Sequence, residues 1–195
     1  LTAKHENEEA AWKLIDDMEH EILKRVGEYF YGYGETSLHE QLMNLLKEKQ
    51  LTIAAAESLT GGLFCEQLTQ FPGASKIVRG GVVCYTNEIK QHVLGVKEET
   101  LKTAGAVSGD CAKQMAEKVK KLMNASIGIS FTGVAGPEPS EGKSVGTVYI
   151  GVQFESDPAK VYELHLSGSR DGIRRRTSNY GCHYLMKLIN KMENR

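Results

Sequence analysis

The stretch from Leu51 to Leu68 most narrows what this chain can build. A short apolar run, Leu51 to Ala56, breaks at Glu57-Ser58-Leu59-Thr60-Gly61-Gly62 and resumes as a helical pattern through Leu63, Phe64, Gln67 and Leu68. Apolar runs of this length read as buried strands, and a strand turning through small residues straight into a helix is the repeating unit of an α/β sheet. The remaining sequence continues that alternation. Ser37-Leu38-His39-Glu40 has the form of a capping box and opens a helix to about Lys49, followed by strand 51–57, helix 61–70, strand 77–85, a short helix 88–94 and helix 108–123 starting from Ser108. Strands 126–132, 145–154 and 160–166 come next, the last two reading as a hairpin across Ser156-Asp157-Pro158. A closing helix spans about 171–192, with Ile173, Thr177, Tyr180, Tyr184 and Leu188 as its inward stripe. The expected fold is α/β, a three-layer domain whose mixed, mainly parallel sheet is covered by helices on both faces.

Ahead of this domain, Trp12, Ile15, Met18, Ile22 and Val26 recur at helical spacing, and Tyr29, Tyr31 and Tyr33 alternate up to Gly34 as a strand would. A lone helix and strand cannot make a core. Residues 1–34 therefore read as an appendage, the tail of a preceding domain, and residues 35–195 as the α/β domain. The chain begins with Leu1 rather than Met, which reads as a fragment or a processed piece.

Charge excludes some classes of partner. Lys plus Arg (24) nearly balances Asp plus Glu (25), so no global field draws the protein to nucleic acid or to an anionic membrane, and any anion site must be local. The longest uncharged stretch, Leu122 to Pro137, is shorter than the roughly 20 residues of a membrane helix and is interrupted by Gly and Pro. Cys65, Cys84, Cys111 and Cys182 are far apart with no C-x-x-C pair, as expected of reduced thiols in a cytoplasmic protein. The six histidines lack zinc-ligand spacing, so no metal is expected.

Four segments have residues suited to chemistry. Ser58 follows the first strand where free backbone N–H groups and the positive end of a helix meet, a place for a reacting oxygen or a bound anion; Ser58 or Thr60 as a plain helix cap fits the same residues. In Tyr85-Thr86-Asn87-Glu88-Ile89-Lys90, Asn87 suits a cap, and Lys90 falls in the first turn, where a lysine opposes the helix dipole. That misfit marks Lys90 as a candidate base, a solvated surface lysine being the bland alternative. Phe131-Thr132-Gly133-Val134-Ala135-Gly136-Pro137 follows an apolar strand, and small residues at a strand's carboxyl end let backbone N–H groups near Thr132 and Gly133 approach a ligand as an oxyanion hole. Ser169 to Arg176 puts four arginines at the start of the last helix, suited to phosphate or to a solvated basic face. There is no G-x-S-x-G elbow, P-loop or H-E-x-x-H, and the S-x-x-K match Ser140-Glu141-Gly142-Lys143 lies in a Pro/Gly loop.

Taken together, AESLTGG, FPGASKIVRGGVVCYTNEIKQHVLGV, GAVSGDCAKQMA, FTGVAGP and VGTVYIGV resemble the carboxyl-terminal domain of the competence/damage-inducible CinA family over about Ser37 to Ile189. The resemblance implies a nicotinamide-nucleotide amidase that hydrolyses the carboxamide of nicotinamide mononucleotide without metal or cofactor. It implies Ser58 as nucleophile, Lys90 as its base and Tyr85 as an assisting group. Thr60, Gly61, Thr132, Gly133 and Gly136 are then expected around the substrate, and Arg170 and Arg174 at its phosphate. Residues 1–34 resemble the end of a KH-like middle domain. The expected partners are a small nucleotide and a second copy of the chain in a homodimer; no membrane is expected, and nucleic acid is the weaker alternative, through Arg170 to Arg176. Two departures stand out: Leu59 occupies a position where many relatives have Cys, and Glu138-Pro139-Ser140 replaces a glycine-rich loop. The second leaves open a catalytically silent, nucleotide-binding regulatory module.

Overall fold

The computed structural model describes residues 1–192 and divides the chain into two compact units, Leu1–Thr36 and Ser37–Arg195. In the first, α1 (Glu8–Val26) is capped by Asn7, whose side chain accepts from the Glu9 and Ala10 amides, and it buries no residue. Trp12, Met18, Ile22 and Val26 are all exposed. The expected strand at Tyr29 to Tyr33 is not formed. A 3-10 turn at Gly27–Tyr29 replaces its start, and no strand precedes Ile53 among the described residues. An alternating run needs a second strand to satisfy its backbone, and this unit supplies none. Tyr33 instead donates to Glu19 at 2.6 Å and meets the Phe30 ring edge-on.

The second unit is the three-layer α/β domain. Its elements are α2 (Leu38–Glu48), β1 (Ile53–Glu57), α3 (Leu63–Thr69), β2 (Val78–Val83), α4 (Asn87–His92), α5 (Glu98–Thr103), α6 (Gly109–Leu122), β3 (Ile127–Gly133), β4 (Thr147–Phe154), β5 (Lys160–His165) and α7 (Arg170–Met192). The strand order is β2-β1-β3-β4-β5. β1 runs parallel to both β2 and β3, and β4 and β5 add an antiparallel hairpin to the β3 edge. Helix α5 had no counterpart in the sequence reading. Its one apolar residue, Leu101, gives no stripe, and it carries a Glu98–Lys102 pair at 2.5 Å.

Side chains of β1, β3 and β4 alternate between two helical layers. Ile53, Ile127, Ile129, Phe131, Val148 and Ile150 face α2, α3 and α7 in one core, while Ala54 and Ala56 join Cys111, Met115 and Val119 of α6 in another. The second layer sits very close to the sheet, because a Cβ at Gly128 or Gly151 would collide with the carbonyl of Ala116 or Ala112. Ser130 Oγ bonds that Ala112 carbonyl at 2.6 Å, fixing the helix over the sheet. In α7 the buried residues are Ile173, Thr177, Ser178, Gly181, Cys182, Leu185, Leu188 and Ile189. Tyr180 and Tyr184 of the expected stripe are only half-buried and stack at the layer's edge, Tyr184 against Tyr162.

Candidate active site

The carboxyl ends of β1 and β3 lie side by side, with Glu57 paired to Phe131 and the Ser58 amide donating to the Phe131 carbonyl at 2.9 Å. Ligands of open α/β sheets bind at such ends. Here the chain leaves β1 through Ser58 to Gly62 and enters α3 at Leu63, two residues later than the spacing suggested, with Gly62 in the left-handed region at φ 95°. Neither Ser58 nor Thr60 caps this helix. The N-cap residue is Gly62, and the free amides are met from the end of β1 by Glu57, 1% exposed, whose carboxylate accepts from the amides of Gly62 at 2.9 Å, Phe64 at 3.1 Å and Cys65 at 2.9 Å. A carboxylate at a helix N-terminus meets both free N–H groups and the positive end of the dipole. The serine hydroxyl is thereby left available.

That hydroxyl meets Lys90. The lysine side chain is 2% exposed, and its Nζ lies 3.0 Å from Ser58 Oγ and 2.9 Å from the Cys84 carbonyl. Helix α4 is capped by Thr86, not Asn87, through a bond from the Ile89 amide at 3.3 Å. The helix has only six residues, so Lys90 belongs as much to its last turn as to its first, and the dipole argument drawn from sequence does not apply. Burial against β1 and the carbonyl at the end of β2 is what sets this lysine apart. Lys90 forms no ion pair among the described residues.

Around these two groups opens a cleft of about 570 Å³, counted out to bulk solvent, lined also by Tyr85, Asn87, Ala106, Val107, Thr132, Gly133, Ser140, Glu141 and Arg170. Thr132 Oγ1 donates to the Ala106 carbonyl at 2.6 Å, fastening the segment before α6. The Val134 amide faces β4, bonding the Thr147 carbonyl at 2.9 Å, and the Phe131 carbonyl faces β1. Alternation along the strand therefore turns the Thr132 N–H to β4 and the Gly133 N–H to the Ser58 side. Of the expected pair, only Gly133 has a backbone donor aimed at the site.

The other sequence candidates are spread around this centre. Tyr85 is 56% exposed at the mouth, its hydroxyl accepting from Arg170 Nη2 at 2.8 Å, and Arg170 Nη1 also donates to the Gly136 carbonyl. Arg174 lies outside the cleft lining, donating to the carbonyls of Leu59 at 3.2 Å and Thr60 at 2.6 Å. Thr60 and Gly61 form the turn beneath Ser58, and the Thr60 hydroxyl is buried without a partner, alone in this among the described residues. Sequence reasoning missed Glu57 and Glu141; a carboxylate closing an all-apolar strand was the signal for the first. Cys84, next to Lys90, is a poor rival nucleophile because burial pushes its thiol up to about 11. No cluster of three or more His, Cys, Asp or Glu converges among the described residues.

A family model described as the CinA C-terminal domain matches residues 35–189. Relatives named as competence-damage inducible proteins include one of Bacillus cytotoxicus, 56% identical over 98% of this chain and 47% of its own length, and one of Geobacillus sp. strain WCH70, 58% identical over 97% and 45%. The chain thus spans about half the length of these curated relatives. Among solved structures, a CinA superfamily protein of Klebsiella pneumoniae matches with a TM-score of 0.76 at 27% identity, covering 80% of this chain and 99% of that one. A competence/damage inducible protein of Agrobacterium tumefaciens matches at 0.75 and 34% identity, covering 78% and 93%.

Proposed function

Because the chain belongs to the CinA C-terminal domain family, we propose that it hydrolyses the carboxamide of nicotinamide mononucleotide to nicotinic acid mononucleotide and ammonia, with Ser58 as nucleophile and Lys90 as base. The observation that carries this reading is the 3.0 Å contact between Lys90 Nζ and Ser58 Oγ in a buried corner of an open cleft. A base at this position keeps one N–H on the Cys84 carbonyl and has the serine hydroxyl within proton-transfer distance.

In the first step Lys90 takes the Ser58 proton while Oγ attacks the amide carbon, and the oxyanion forms beside the Gly133 N–H. Lys90 then returns the proton to the nitrogen as the C–N bond breaks, releasing ammonia and leaving the acyl group on Ser58. Water, deprotonated by the same amine, attacks the ester and restores the hydroxyl. Tyr85, bonded to Arg170, assists from the cleft wall, and Arg170, with the only guanidinium lining the cleft among the described residues, takes the phosphate. Arg174, engaged with two carbonyls behind Ser58, holds the turn instead.

Incubation with nicotinamide mononucleotide, following ammonia and the acid product together, tests the proposal. Stoichiometric release of both is expected. Saturable binding in calorimetry with no ammonia would replace the enzyme with a silent nucleotide-binding module.

A further inference from the structure

Glu141 sits at the tip of a two-residue hairpin that the reaction described above leaves unused. Ser140 and Lys143 exchange backbone bonds at 3.2 and 2.8 Å, and both residues between them have positive φ, 51° at Glu141 and 69° at Gly142. Such a turn takes Asn, Asp or Gly readily, whereas a glutamate there is uncommon. The residue is exposed, yet its carboxylate turns back to the chain. Oε2 accepts from the Val107 amide at 2.9 Å, and it passes so close to Gly105 that a Cβ at that position would lie 2.6 Å from it. Gly105 is itself at φ 84°. A non-glycine residue in the left-handed region thus brings its carboxylate to the cleft wall, and an outlier of that kind points to function.

The charges around the cleft give this carboxylate a role. Arg170 at the mouth carries a fixed positive charge, and Glu141 is the only carboxylate lining the cleft among the described residues. The proposed substrate is a zwitterion: its phosphate is anionic, while the N-glycosylated pyridine ring bearing the amide has a fixed positive charge. We infer that Glu141 is a specificity-determining residue, selecting amides attached to a cationic ring over neutral-ring amides of the same shape. The inference rests on the amidase reading. The carboxylate is held by a backbone N–H rather than by a basic side chain, so its charge is free to act on a ligand.

The test compares nicotinamide mononucleotide with its reduced, neutral-ring dihydropyridine form on the wild-type protein and on Glu141→Gln. Glutamine keeps an oxygen for the Val107 amide and loses the charge. The ratio of kcat/KM for the cationic over the neutral ring should fall about fivefold in the variant, the scale of one partly screened charge contact, while the neutral-ring value stays constant. An unchanged ratio overturns the inference without touching the amidase reading. If the wild-type protein turns over neither compound, the amidase reading fails alone, and calorimetry of the two nucleotides on both proteins decides about Glu141. Binding that depends on ring charge only in the wild type supports it; equal binding, or none, overturns it.

Discussion

The floor of the cleft and its rim are built in opposite ways. At the floor, Glu57, Ser58 and Lys90 are buried, and the strand ladder fixes them: the Ser58 amide is bonded to β3, the Glu57 carboxylate to three amides of α3, and Lys90 to the end of β2. At the rim, Tyr85, Arg170 and Glu141 come from three separate segments and are exposed; Arg170 bonds Tyr85 and the Gly136 carbonyl, and Glu141 bonds only the Val107 amide among the described residues. Bonds between exposed charged groups contribute little, so the rim exchanges partners with a ligand at small cost. The floor has no such freedom. On the amidase reading, reaction geometry is thus set before substrate arrives, and affinity is set by parts that can yield.

If that contrast is right, floor substitutions cost turnover and rim substitutions cost binding. The largest effect among these is expected from Lys90→Met, which fills the same buried space without a base: kcat should fall about 10³-fold with KM nearly unchanged. A defect confined to KM would move Lys90 from the floor's chemistry to binding. Glu57→Gln comes next. Glutamine offers one oxygen where three amides need acceptors, so stability should drop by about 2–3 kcal/mol in denaturant unfolding, and kcat by about tenfold as the Ser58 turn loosens. Full rate in a destabilised Glu57→Gln protein would show that this carboxylate does not position the serine. At the rim, Arg170→Ala should raise KM about tenfold, the worth of one charge-assisted bond, and leave kcat close to wild type. A matching loss in kcat would erase the distinction between the two regions.

The smallest expected effect lies beneath the floor, where His39 donates through Nε2 to Ser178 Oγ at 2.9 Å and Ser178 donates to Gln67 at 2.6 Å, tying α2, α7 and α3 together. Burial holds the His39 ring below its ordinary range, only partly offset by the Glu66 carboxylate. The unfolded chain therefore binds the extra proton first, and stability, complete above the unfolded value near 6.5, falls as pH drops toward the folded one. Thermal unfolding between pH 7 and 5 should display this decline, and His39→Leu should flatten it.

Much of the floor was legible in the sequence. The order of strands and helices follows from apolar runs and caps such as Ser37 and Ser108, whose hydroxyls bond the amides of Glu40 and Cys111 as their positions suggest. Ser58 and Lys90, 32 positions apart, are brought together by the parallel pairing of β1 with β2, which a single sequence states only through the pattern of its elements. The roles of Glu57 and Glu141 were not legible, because each acts through a backbone turn whose direction depends on tertiary packing. The same holds for Arg174: at a helix start it reads as an anion ligand, and only the neighbouring carbonyls of Leu59 and Thr60 reveal its engagement. Tyr29 to Tyr33 reads as a strand from alternation alone, a pattern that cannot say whether a partner strand exists.

The most direct test of the account is ammonia release from nicotinamide mononucleotide by Ser58→Ala, with nucleotide binding measured by calorimetry on the same sample. Retained binding with turnover reduced by about 10⁴-fold or more is the predicted result. Turnover at the wild-type rate would contradict it, since no acyl group could then be passing through the hydroxyl beside Lys90.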